Sequence, residues 1–186
     1  MVKHNHALIL CEGPQDIEFL NRFCKEYLKI EIPNIQALNG KPNFFKEDSY
    51  TQIKNKVQTG MCDKILFVLD SDFEKNDAKN GGYNNTENSI KEMIKKLGFE
   101  GVADYYISCD PITKNGNLEH LILSTMDATK KACVETFIKC VEGKEAHENK
   151  KIVLTGYQTI FKEAPYNFDH EHFEELKIKI NELVGE

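Results

Sequence analysis

A chain of 186 residues with 40% apolar and 29% charged side chains is long enough for one α/β domain with its own core, and it needs no staple to fold. Its net charge of −6 argues against a surface that grips nucleic acid by bulk electrostatics, so any basic footprint must be local. The longest apolar runs fall far short of the roughly 20 residues of a membrane span. The N-terminus has no signal-peptide pattern, and the six cysteines are scattered without a C-x-x-C pair. A cytoplasmic chain is expected, with no membrane contact, no zinc site and no disulfide framework.

The first half alternates strand and helix patterns. Ala7 to Cys11 is an apolar run suited to a buried strand, and Ile17, Leu20, Cys24, Tyr27 and Leu28 then recur at helical spacing from about Gln15 to Lys29. Pro14 suits the first turn of that helix. Ile35 to Leu38 reads as a second strand, followed by the polar loop Asn39-Gly40-Lys41-Pro42-Asn43. Tyr50, Ile53 and Val57 mark a helix that closes near Gly60, and Lys64 to Leu69 is the clearest strand, ending on Asp70-Ser71-Asp72. The polar stretch from Asn76 to Thr86 reads as a mobile loop. A helix through Ile90, Met93, Ile94 and Leu97 ends at Gly98, and Val102 to Ile107 is a fourth strand.

After Asp110-Pro111 the pattern is helical: Leu118 to Ser124, Ala128 to Val141, Lys150 to Lys162 and Glu171 to Val184. Alternation of this kind predicts a parallel sheet covered on both faces. Residues 1–110 form the α/β core in this reading, and residues 111–186 a helical extension of the same domain packed on it.

In an open parallel sheet, ligands bind beyond the carboxyl ends of the strands. Two strands end there in acids: the first in Cys11-Glu12-Gly13-Pro14-Gln15-Asp16, the third in Asp70-Ser71-Asp72. If the two strands are parallel neighbours, Glu12, Asp70 and Asp72 converge, and their mutual repulsion favours a hard divalent cation, Mg²⁺ or Mn²⁺. Gly13 is expected to turn the backbone tightly so that Glu12 faces the site. Lys41, beside Gly40 on the loop after the second strand, is placed to touch a substrate phosphate. The competing reading is that each carboxylate merely caps a helix or a loop.

These segments resemble the Toprim family, through Leu8-Ile9-Leu10-Cys11-Glu12-Gly13-Pro14-Gln15-Asp16 with Phe19-Leu20, and through Ile65-Leu66-Phe67-Val68-Leu69-Asp70-Ser71-Asp72. The resemblance covers residues 7–107 and is nearest to the Toprim-like group related to the OLD nuclease domain. It implies a Rossmann-like fold, one or two Mg²⁺ or Mn²⁺ ions held by Glu12, Asp70 and Asp72, and Glu12 as the proton-transferring group. In that branch a further acid four residues after the first Glu maps to Asp16. An acid in a Leu-Glu-x-Leu context resembles Glu119, and a lysine before a helical stretch corresponds to Lys151. Asp16 and Glu119 would complete a second metal site, and Lys151 would neutralise transition-state charge.

The function so implied is a metal-dependent nuclease acting on DNA or RNA. The runner-up is a non-catalytic Toprim module that binds metal and nucleic acid beside a partner ATPase. OLD nucleases carry an ATPase domain, whereas this chain has no G-x-x-x-x-G-K-[ST] loop, so an ATPase would be a separate subunit. A homo-oligomer is compatible with the sequence. An Asp-x-Asp phosphatase of the haloacid-dehalogenase type fits less well, because its pair usually follows the first strand.

Overall fold

The computed structural model describes residues 6–30, 34–142, 150–160 and 166–185. Four strands form one all-parallel sheet: β1 (Ala7–Cys11), β2 (Ile35–Ala37), β3 (Lys64–Asp70) and β4 (Ala103–Ser108), in the order β2-β1-β3-β4. β1 lies beside β3 with Ala7 opposite Lys64 and Leu10 opposite Phe67. β3 lies beside β4 from Ile65 opposite Ala103 to Asp70 opposite Ser108. The chain leaves β1 for β2 on one side and reaches β3 on the other. The crevice at the carboxyl end between β1 and β3 is therefore the point where the winding reverses, the usual place for a ligand in such sheets.

The period-two alternation of each strand divides its side chains between two cores. Ala7, Ile9 and Cys11 of β1 and Leu66 and Val68 of β3 enter one cluster, while Leu8, Leu10, Ile65, Phe67 and Leu69 enter the other. The first core is closed by α1 (Pro14–Arg22) and the wide-turned π-helical segment Phe23–Leu28 that continues it. It also takes in α4 (Leu118–Ser124), α5 (Ala128–Glu142), α6 (Lys150–Ile160) and α7 (Glu174–Val184). The second core is closed by α2 (Thr51–Gln58), by the 3₁₀ turns before it and by α3 (Tyr83–Leu97). All six cysteines are free and four are buried, Cys11 fully. Among the described residues no helix is long and apolar enough to cross a membrane.

Several boundaries differ from the sequence expectation, each for a local reason. Lys41–Phe45 forms a 3₁₀ turn where a polar loop is expected, because Phe44 is pulled into the core and Tyr50 Oη donates to its carbonyl at 2.8 Å. The stretch from Asn76 to Thr86 is folded back on itself. Asp77 accepts from the Lys79 and Asn80 amides at 3.0 Å, and the Gly82 amide donates to Ser71 O at 2.9 Å, so α3 can begin at Tyr83. The last helix opens as a 3₁₀ turn, Glu171–Phe173, capped by His170. Residues 161 and 162, expected to end α6, lie outside the described residues.

Phe173 shows how the C-terminal helices join the sheet. Its ring is buried and lies 5.8 Å from Phe19 and 5.7 Å from Phe23, both on the helix that follows β1. Phe173→Ala is expected to destabilise the whole chain by about 3–5 kcal/mol in a urea titration, as a large cavity does in a shared core. A loss confined to local fraying of α7, with the main transition unmoved, would contradict that integration.

Candidate metal centre

Glu12 follows β1 directly and Asp70 closes β3, so the parallel pairing of these strands sets the two acids side by side. The contact is direct: the Asp70 N–H donates to Glu12 Oε1 at 2.8 Å. One oxygen of Asp70, Oδ1, accepts from the Leu118 N–H at 2.9 Å, at the first turn of α4. Asp16 sits in the first turn of α1, and its Oδ2 accepts from the Gly13 N–H at 2.7 Å. Glu12, Asp16 and Asp70 share one cleft of about 380 Å³ with Asn39, Gly40 and Glu119. Four of the five predicted acids therefore face a single space at the reversal point of the sheet.

Asp72, the fifth, is placed differently. It adopts a left-handed backbone (φ 58°) and its Oδ2 pairs with Lys41 Nζ at 3.2 Å, and it is not among the residues lining the cleft. Lys41 is buried, its ammonium spent on Ser71 O, Thr86 Oγ1 and Asp72. It is thus a structural cation here, where the sequence suggested a surface group for substrate phosphate. Gly40 does line the cleft, with φ 110° and its N–H donating to Glu12 O at 2.8 Å. The chain bends at Glu12-Gly13 and Glu12 faces the cleft, but Gly13 has extended backbone (φ −151°) that any residue adopts, so the bend does not require glycine; what Gly13 supplies is the N–H that holds Asp16.

Lys151 is exposed on α6. It borders a depression of about 120 Å³ whose wall includes Gln15, Leu118 and Glu119, and these three residues also line the acidic cleft. The lysine therefore shares that depression with Glu119, one of the cleft acids. Its other side borders an apolar groove of about 560 Å³ between α5 and α6. Sequence reading missed Asn117 and Asn39, neutral amides on the cleft wall, and the Leu118 amide; nothing in their residue types marked them out.

Burial dominates the electrostatics of the cleft. Burial pushes the Glu12 carboxyl up to about 7, with the charges of Asp72 and Asp16 adding to it, against the hydrogen bond from Asp70 N and the charge of Lys41. Burial also raises Asp70 well above the usual carboxylate range, and the charges of Glu12, Asp16, Asp72 and Glu119 reinforce it. Asp16 is raised by burial and by Glu119. The donor chemistry, all oxygen with excess negative charge, suits a hard divalent cation. Among the described residues, however, no three His, Cys, Asp or Glu side chains are already gathered closely enough to hold one. An ion would have to draw the cleft carboxylates together.

A carboxyl raised from 4.5 to about 7 binds its proton more tightly folded than unfolded. Its contribution to stability is therefore fullest below 4.5 and is lost as pH rises through 7. Without divalent metal, Glu12→Gln should gain stability over the parent between pH 5 and pH 8, by an amount of order a few kcal/mol in urea titrations. A variant-minus-parent difference that is the same at both pH values would show that Glu12 carries no such strain. Set against known proteins, the chain matches no family model, no curated protein and no solved structure, so the reading of the cleft stands on its own geometry.

Proposed function

We propose that this chain is a Mg²⁺- or Mn²⁺-dependent phosphodiester enzyme of the Toprim type, a nuclease acting on DNA or RNA. The observation that carries the reading is the meeting of Glu12 and Asp70 at the reversal point of a parallel sheet, in a cleft shared with Asp16 and Glu119. The proposal rests also on the Glu-Gly and Asp-x-Asp motifs at the ends of β1 and β3.

Glu12 and Asp70 would hold the ion, with Asp16 and Glu119 at its edge. A bound divalent ion supplies Lewis-acid polarisation of a phosphoryl oxygen and lowers the pKa of water. The protein's own groups do the rest. Glu12 keeps one carboxylate oxygen clear of the Asp70 amide, and that oxygen can take a proton. The Leu118 and Gly13 amides fix the orientation of Asp70 and Asp16. Lys151, next to Glu119, supplies positive charge to the phosphate, and local lysines rather than the net charge of −6 admit a nucleic acid.

The second reading is a module that binds metal and nucleic acid beside a separate ATPase subunit without cutting. The two readings part in a nicking assay with supercoiled plasmid and with single-stranded DNA and RNA, in Mg²⁺ or Mn²⁺. Cleavage that falls at least about 100-fold in both Glu12→Gln and Asp70→Asn is the enzyme outcome. Metal binding with no cleavage of any of the three substrates is the module outcome.

A further inference from the structure

Three loops at the carboxyl edge of the sheet meet around one buried lysine. Lys41, after β2, is 8% exposed, and its Nζ donates to Ser71 O at 2.8 Å, to Thr86 Oγ1 at 3.1 Å and to Asp72 Oδ2 at 3.2 Å. These acceptors use all three N–H bonds of an ammonium. They come from the loop after β3 and from α3, so a single side chain ties those elements to the loop after β2.

Asp72 is held from its other side as well. Its N–H donates to Gly116 O and its carbonyl accepts from Gly116 N at 3.0 Å, a two-bond bridge to the loop after β4. Ser71 Oγ donates to Lys114 O at 3.2 Å beside it. Gly116 has φ 95°, and a Cβ there would collide with the His120 ring, so only glycine can complete the bridge. A non-glycine residue in the left-handed region, such as Asp72, persists when its surroundings over-determine it.

In an Asp-x-Asp pair both acids can reach one ion, but here the two point to different partners. Asp70 lines the cleft with Glu12, whereas Asp72 spends its Oδ2 on Lys41. The Asp72 side chain is 42% exposed, but turning its Oδ2 to an ion would take from the buried Lys41 ammonium its charged partner, leaving it Ser71 O and Thr86 Oγ1. We infer that Lys41 is a positioning residue that locks Asp72 into the loop network. An ion in the cleft is then held by Glu12 and Asp70 with Asp16 and Glu119 beside it, and Asp72 acts on it only through its charge. The inference deepens the metal reading of the cleft and rests on it for the ion, while the lock itself exists without metal.

Two measurements test it, and they fail separately. In EDTA, Lys41→Met should lower the melting temperature by roughly 10 °C and Asp72→Asn, whose side chain is 42% exposed, by a few degrees, and the double variant should fall short of the sum. Additive losses would overturn the lock. In calorimetric Mn²⁺ titrations Asp70→Asn should weaken binding at least about tenfold, and Asp72→Asn less than about threefold. Lys41→Met should bind more tightly than the parent, or take up a second ion, because Asp72 is released; a lysine with a purely structural role would change neither. Equal weakening by Asp70→Asn and Asp72→Asn would overturn the assignment of ligands. Should Lys41→Met fail to fold, Asp72→Asn still decides that point. Absence of Mn²⁺ binding in the parent would sink the metal reading itself, and the unfolding cycle would still report on the lock.

Discussion

Placing a glutamate at the end of β1 against the end of β3 confronts the protein with two carboxylates in one half-enclosed cleft. The hydrogen bond from the Asp70 amide to Glu12 Oε1, 2.8 Å long, fixes that confrontation. It follows from the pairing of β1 with β3, so the sheet cannot keep its register and separate the two acids. Asp16 and Glu119 add charge to the same space, and burial holds Glu12 and Asp70 above the ordinary carboxylate range. A structure built for stability alone would dissipate such charge. Sites that concentrate it are where binding and chemistry are found.

The rest of the architecture bears on that cleft. Glu12 is carried by a strand whose every side chain is buried, and Asp70 by a strand flanked on both sides by β1 and β4. The C-terminal helices enter the same core as β1, and through the first turn of α4 they bring Leu118 N to Asp70 and Glu119 to the cleft wall. α6 brings Lys151 to the adjoining depression. The helical half thus contributes to the site as well as covering the sheet.

Much of this was legible in the residues. Apolar strand runs ending in Glu12 and Asp70 placed two acids at one edge, because strand direction and the reversal rule are local and topological facts. The helix that begins at Leu118 and the cap at Gly98 also followed from local patterns. What was not legible depends on tertiary partners. Lys41 reads as a surface lysine in a polar loop, and only the approach of Ser71, Thr86 and Asp72 makes it a buried cation. Asp72 reads as the twin of Asp70, and only its left-handed backbone and its bridge to Gly116 separate them. Gly13 reads as a turn residue, yet its backbone is extended and its role is to donate one N–H.

A divalent cation between Glu12 and Asp70 would answer the excess charge of the cleft. Anomalous diffraction from crystals soaked in Mn²⁺ at pH 8 tests it most directly. An ion bonded to oxygens of both residues, with the Asp72 carboxylate still on Lys41, is the expected result. An ion bound elsewhere, or a cleft that stays without one at saturating Mn²⁺, would contradict it.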